Sequence, residues 1–254
     1  MSFNISPLEQ FEVFPILALS LRTSSDLIDI SLTNFVLFLF FDFSFVLGLL
    51  FLGTSKLLLV PSRLQILLEQ VYNFVVDTIR QQTGDEGLKY FIFYFLIFFF
   101  ILISNLLGLV PFCFTTTSHL IMVSFIALTA NIAFVIIGFF KHGVSFLNYF
   151  IPSSAPKPLI PLITLIELVS YLLRTFSLSI RLFANMMAGH ILLYILASFV
   201  LRLLSANLFL AALLPVLLMV AVFALELGIC FIQAYVFLVL LSIYLSDSLA
   251  TPGH

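Results

Sequence analysis

LITLIELVSYLLRTFSLSIRLFANMMAGHILLYILASFVLRLL, residues 162–204, contains no proline and a single glycine, Gly189. It is apolar along its whole length, yet it carries Glu167, Arg174, Arg181, Asn185 and His190. A second stretch, Leu208 to Ser248, is interrupted only by Pro215 and Gly228. Each would make a helix ~60 Å long at ~1.5 Å per residue, whereas a bilayer's hydrocarbon core is only ~30 Å thick. Two solutions are open. Each stretch breaks into two spans, with Gly189 and Gly228 as the natural breaks, or each crosses as one helix tilted ~60°, beyond the common range of ~0–40°. Hydropathy by itself favours the break.

The rest of the chain points to the same solvent. Of 254 residues, 63% are hydrophobic and 9% charged, against ~25% charged in soluble domains. So few charges cannot coat a soluble fold of this length. The expected class is an all-α integral membrane protein, a single membrane domain over 1–254. Residues 1–30 read as an N-terminal surface segment, with Glu9 and Glu12 facing water. Residues 32–52 form a first span with Asp42 inside it, a charge that wants a partner. Residues 61–82 are too polar to span: after Pro61, apolar positions recur at helical spacing between Gln65, Glu69, Asn73, Asp77 and Arg80, as in an interfacial helix. Residues 90–140 read as a helical hairpin, with Ser104 and Asn105 in its first arm, Asn131 in its second and the polar loop 115–119 between. PSSAPKP at 152–158 is a linker, and 159–248 is the long helical pair.

Net charge is −2, so there is no basic footprint for nucleic acid. No G-x-x-x-x-G-K-[ST] loop is present to cradle phosphate. Cys113 and Cys230 lie in apolar runs and read as small buried hydrophobes rather than a disulfide or metal site. No cofactor and no metal is expected. The acidic start of the chain is neither a secretory signal nor an Arg-rich transit peptide. With 32 Phe and no Trp, the bias suggests an AT-rich, organellar genome.

Helical arithmetic orders the polar residues. The seven-residue steps from Glu167 to Arg174 to Arg181 drift by only about 20° each, so the three share a face. His190, nine residues past Arg181, lies about 180° away if the helix is continuous. Glu226, Gln233 and Tyr244 share a face of the second stretch, with Asp247 ~31 Å along the axis from Glu226. Arg181 is the sharpest feature. Arginine stays charged, and a charge in a bilayer requires an opposite charge or a wet cavity. Glu167, ~21 Å away, is too far to be that partner, so the complementing acid belongs to another helix or another subunit.

SLSIRLFANMMAGH (177–190) followed by LELGICFIQAYVFLVLLSIYLSD (225–247) closely resembles subunit a of the F-type ATP synthase, in its mitochondrial form. SPLEQFE (6–12), LVPSRLQILLEQVYNFV (59–75) and SNLLGLVPFCFTTTSHL (104–120) extend the resemblance along the chain. It implies a stator subunit beside a rotating ring of c subunits, each with one membrane carboxylate, in the mitochondrial inner membrane. It implies a strongly tilted hairpin over 159–248, unbroken, and two offset half-channels for H+. Arg181 matches the coupling arginine that faces the ring. His190, Glu226 and Gln233 match the path from the intermembrane space, and Glu167 and Asp247 match acids toward the matrix. Asn185, Arg174, Tyr244 and Asn105 are supporting polar residues. The implied partners are the c-ring, peripheral-stalk and small membrane subunits, and lipid.

The physics suits these residue types. A fixed guanidinium keeps a facing carboxylate ionised, and burial does not neutralise it as it can neutralise lysine. A secondary proton-coupled transporter would also place ionisable groups at mid-membrane, but the chain has no repeated halves. A purely structural membrane protein leaves Arg181 unexplained.

Overall fold

A computed structural model of the chain describes residues 8–17, 20–22, 27–29, 31–54, 61–110, 113–143 and 159–249. The linker expected at 152–158 lies outside the described residues. Among the described residues, six α-helices make up the body: α1 (Asn34–Thr54), α2 (Arg63–Thr83), α3 (Phe91–Gly108), α4 (Leu120–His142), α5 (Ile160–Ser205) and α6 (Phe209–Leu249). Among the described residues, five helical runs are long and apolar enough to cross a membrane: α1, the run Arg63–Gly108 that joins α2 to α3 through a 3-10 turn, α4, α5 and α6. Helices satisfy every backbone group internally, which a bilayer requires. Their outward faces are apolar: Ile121, Phe140 and Leu210 are 84%, 88% and 89% exposed, as suits a surface solvated by lipid rather than water.

Local signals place the helix ends. Ser62 caps α2, its hydroxyl accepting from the Gln65 amide at 3.3 Å, as expected of a serine just before a helical period. α5 and α6 are each continuous, over 46 and 41 residues. Neither Gly189 nor Gly228 breaks its helix, so the breaks that hydropathy favoured are absent. Pro215 is tolerated in the second turn of α6, close to the end where backbone donors lack intrahelical partners. The α5–α6 turn rests on Asn207 in the left-handed region, φ 59°. The Leu208 amide donates to the Leu203 carbonyl at 3.0 Å and the Asn207 amide to the Leu204 carbonyl at 3.1 Å, the pairing that terminates helices at a left-handed residue.

The N-terminal segment departs from the all-helical expectation. Pro15–Leu17 (β1) pairs antiparallel with Leu32–Thr33 (β4), and Ser20–Arg22 (β2) with Leu27–Asp29 (β3). Strands of two or three residues are too short to show an alternating pattern in sequence.

The chain divides into two compact units. One comprises Met1–Leu52, Phe100–His119 and Phe183–Gln233; the other comprises Gly53–Phe99, Leu120–Leu182 and Ala234–His254. In the first, Leu109, Met186 and Cys230 form a small core with Leu106 and Leu227 against it. Asn34 ties the N-terminal segment to α1: its side-chain oxygen accepts from the Phe14 amide at 3.1 Å and its Nδ2 donates to the Glu12 carbonyl at 3.0 Å. In the second, Val75, Ile79, Tyr94, Phe134, Phe237 and Leu241 are buried. The Tyr94 and Phe134 rings stack at 5.8 Å, and the Tyr94 hydroxyl donates to the Leu241 carbonyl at 3.2 Å. Asn131 Nδ2 donates to Thr175 Oγ1 at 2.8 Å, joining α4 to α5 as interhelical amides do in membranes. Lys141 reaches both Glu86 and the Leu249 carbonyl.

Candidate functional site

Within the first unit, α5 and α6 enclose a cavity of about 210 Å³ whose polar lining is Asn185, His190 and Glu226, with Gly189 between them. The spacing that builds it is local. Asn185 and Gly189 are one turn apart on α5, and Glu226 lies one turn after Val222 and one before Cys230 on α6. Glu226 is 7% exposed. Its two carboxylate oxygens and His190 Nε2 are buried without a hydrogen-bond partner among the described residues. Nearly all buried polar atoms in proteins are paired, so a histidine and a carboxylate left open on one cavity form a site rather than packing. Gly189 is what admits the acid: a Cβ at this position would overlap the Glu226 carboxylate. Gly189 is thus the seat of the acid and not a helix break.

Around the cavity, Asn185 Nδ2 donates to Gln233 Oε1 at 3.3 Å, so these two residues partner each other. Cys230 Sγ lies 3.8 Å from the Asn105 carbonyl, and the fully buried Asn105 amide has no partner of its own among the described residues. Phe11 is a neighbour that sequence reasoning missed. It is 9% exposed and meets the His190 ring edge-on at 6.3 Å. Its place within the family-like block 6–12 was the only hint.

In the second unit, Arg174, Ser177 and Arg181 of α5 line a groove of about 300 Å³ with Tyr235, Val236, Val239 and Leu240 of α6. Arg181 is exposed and takes part in no ion pair among the described residues. Glu167, half-buried, also makes none. Arg174 is different: its Nη1 lies 3.8 Å from Asp247 Oδ2, and its guanidinium sits 5.8 Å over the Tyr244 ring. Tyr171 meets Tyr244 edge-on at 5.6 Å. Arg174, which sequence assigned only a supporting place, is therefore held in an aromatic and acidic setting by α6. Tyr244 is 1% exposed and belongs to that setting. Of the sequence-predicted residues, Asn185, His190, Glu226 and Gln233 come together in one unit, and Arg174, Tyr244 and Asp247 in the other.

The α5 face beyond this groove is open. Leu165, Ile166, Val169, Ser170 and Leu173 line a further shallow groove with Arg174 and Ser177, and none of the most apolar window of α5 is buried. An uncovered apolar face bearing an unpaired arginine has the chemistry of an interface with an acidic membrane partner.

Comparison with known proteins gives one answer. The model of the ATP synthase A chain family matches residues 34–246. The chain is 43% identical over 255 residues to "ATP synthase subunit a" of Hyphomonas neptunium, covering 98% of each chain. It is 43% identical over 253 residues to the subunit of the same name in Azorhizobium caulinodans, covering 99% of this chain and all of that one. With the Bartonella tribocorum subunit it shares 40% over 250 residues. These relatives are bacterial. A match along nearly the whole length, with a family model that runs from the start of α1 to the last turn of α6, leaves one reading: this multi-pass membrane chain belongs to the ATP synthase A chain family.

Proposed function

We propose that the chain is the proton-translocating stator subunit of an F-type ATP synthase, working against a ring of c subunits that each carry a membrane carboxylate. It makes no ATP itself; it is the proton-channel component of the complex. The observation that carries the reading is Arg181, a permanent charge on the open face of a membrane helix with no acid paired to it among the described residues. A passing ring carboxylate supplies the missing partner. The guanidinium favours its ionised form, releasing a proton on one side, and repels protons that would cross directly. Each charge carried across gains ~2.3 kcal/mol per 100 mV.

His190 and Glu226, facing one cavity with Asn185, are the inlet pair, and Gln233 holds Asn185 in place. An imidazole and a carboxyl can pass protons near neutral pH. Arg174, Asp247 and Tyr244, with Glu167 on the same α5 stripe, form the outlet. Asn105 supports the inlet side. The chain acts as one membrane domain, with α2 along the interface, α3 and α4 as a hairpin, and α5–α6 tilted steeply so that their length follows the ring. Peripheral-stalk and small membrane subunits and lipid cover the remaining apolar surface. The Phe-rich, Trp-free composition supports an organellar gene and a place in the mitochondrial inner membrane, with the inlet open to the intermembrane space and the outlet to the matrix.

The test is Arg181→Ala in the assembled complex in sealed vesicles. Proton-driven ATP synthesis is expected to vanish while the amount of assembled complex is unchanged. Synthesis at the normal rate would sink the proposal. A solute transporter would instead show uptake by the purified chain alone.

A further inference from the structure

Asp42 is a buried acid that the mechanism above does not use. It is the ninth residue of α1, ~12 Å in from Asn34 at ~1.5 Å per residue, and it is 3% exposed. Phe40, Phe41, Phe43 and Phe45 around it point outward. Asp42 and Val46, one turn apart, form the buried stripe of this part of the helix. A charge-bearing residue on the packed side of a membrane helix is costly and marks function by default.

Its surroundings are polar and only partly satisfied. Thr116 Oγ1 donates to Asp42 Oδ2 at 2.7 Å, and Ser104 lies near the same carboxyl without a hydrogen bond to it. Ser104 Oγ, both amide atoms of Asn105 and Thr117 Oγ1 are buried without a hydrogen-bond partner among the described residues. Asn105 and Ser104 are 0% and 1% exposed. The packed elements bring no fixed charge. Phe100–Gly108 holds no titratable side chain, and the loop 113–119 brings only Cys113 and His119. His119 stands between Phe35, edge-on at 5.1 Å, and Phe114, stacked at 5.3 Å. It is half-buried, and burial holds its imidazole below the ordinary pKa.

These contacts form a sequence through one unit. His119 packs on Phe35 at the start of α1. Asp42, about two turns further along α1, is bonded to Thr116, near Ser104. Asn105 follows Ser104 on α3, and its carbonyl meets Cys230. Glu226 stands one turn before Cys230 and faces the cavity it shares with His190. A structural anchor for Thr116 would need only an acceptor, which asparagine supplies at lower cost in a membrane. A carboxyl at this point can also take a proton and hand it on.

We infer that Asp42 is a proton-carrying relay of the inlet, lying between the His119 end of the unit and Glu226, with Ser104 and Asn105 as the hydrogen-bonding groups between. The step is a proton hop that leaves no net change. The Asp42 carboxylate takes a proton arriving from the His119 side, then releases it, through water hydrogen-bonded to the Ser104 hydroxyl and the Asn105 amide, to the Glu226 carboxylate. The inference rests on the proton-path reading above.

The experiment measures proton uptake, driven by a potassium diffusion potential, into vesicles holding the membrane sector after removal of the catalytic head. Asp42→Asn keeps an acceptor for Thr116 but cannot carry a proton. It should lower conductance per assembled complex roughly tenfold, less than the ~10²-fold or more of an obligatory proton-transfer group, because water can bypass a relay. Asp42→Glu should retain most of the conductance. Glu226→Gln is the reference. If Asp42→Asn conducts like the unaltered complex while Glu226→Gln blocks, the relay is overturned and the proton path stands. If Asp42→Glu falls as far as Asp42→Asn, Asp42 is a positional anchor and the relay is again overturned. If Glu226→Gln conducts normally, the proton-path reading itself fails. Should Asp42→Asn not assemble, the unaltered complex decides. A hydrophobic carbodiimide, which needs a protonated carboxyl, should modify Asp42 by mass spectrometry, and absence of modification overturns the relay.

Discussion

Gly189→Ala tests the inlet geometry with the smallest possible change. The added Cβ would lie 2.7 Å from Glu226 Cδ and 3.1 Å from Cγ, and closer still to Oε1, where ordinary contacts begin at 3.4 Å. The carboxyl carbon must therefore retreat by about 0.7 Å, and its oxygen further, before the contact is tolerable. Overpacking of this kind costs about 1–3 kcal/mol in a closed core, but here the carboxylate can swing into the cavity of about 210 Å³. Assembly and stability should thus change little. The consequence is positional: Glu226 leaves its place beside His190, and a displacement of ~1 Å at reacting groups can cost ~10²-fold. Proton conductance per assembled complex, measured in vesicles, should fall by about one to two orders of magnitude. Glu226→Asp, one methylene shorter, should restore part of that loss when combined with Gly189→Ala. Conductance at the unaltered rate in Gly189→Ala, or a double variant no better than either single one, would refute the reasoning.

Three further outcomes are expected. Arg174→Gln and Asp247→Asn, combined in a double-mutant cycle on thermal stability, should couple by less than about 1 kcal/mol, because the pair is long and partly exposed; strong coupling would mean the outlet pair is a structural clamp. Tyr94→Phe removes a fully buried donor to the Leu241 carbonyl and should cost about 1 kcal/mol in detergent unfolding, with proton conductance intact. Asn207→Gly should leave stability level or raised, while Asn207→Val, forced to positive φ, should lower it by about 1–2 kcal/mol.

What the sequence made legible follows from which forces are local. The apolar runs at 32–52 and in the second arm of 90–140 fall on the helices Asn34–Thr54 and Leu120–His142, since length and hydropathy alone mark such helices. α2 was readable from Pro61 and Ser62, because a cap acts within one turn. The stripe on α5 was readable because the helical period is fixed. Contacts between distant segments were not. Asp42 wanted a partner that sequence could not name; Thr116, from the loop between α3 and α4, supplies it. Arg174 meets Asp247 across 73 positions of sequence, a pairing that helical arithmetic within one stretch cannot reach. Gly189 read as a break because glycine weakens a helix, but its missing Cβ serves a side chain from the other helix.

The two charged features on which the proposed function rests are unsatisfied in opposite ways, and that contrast is itself informative. Glu226 is buried with both oxygens unpaired among the described residues. A lasting buried carboxylate without partners is among the most expensive arrangements a protein can hold, and a proton can neutralise it. Arg181 is exposed on a membrane helix with no acid beside it among the described residues. An arginine does not give up its proton at any working pH, so only an arriving negative charge can balance it. One group is thus matched by a proton and the other by an anion that has lost its proton. A protein that keeps both open exchanges a proton at the first and meets a deprotonated acid at the second. In the proposed function, those are the two ends of a proton's passage onto and off a moving carboxylate. A chain built only for structure would have closed both with neighbours of its own, as it closed Arg174 with Asp247 and Asn185 with Gln233.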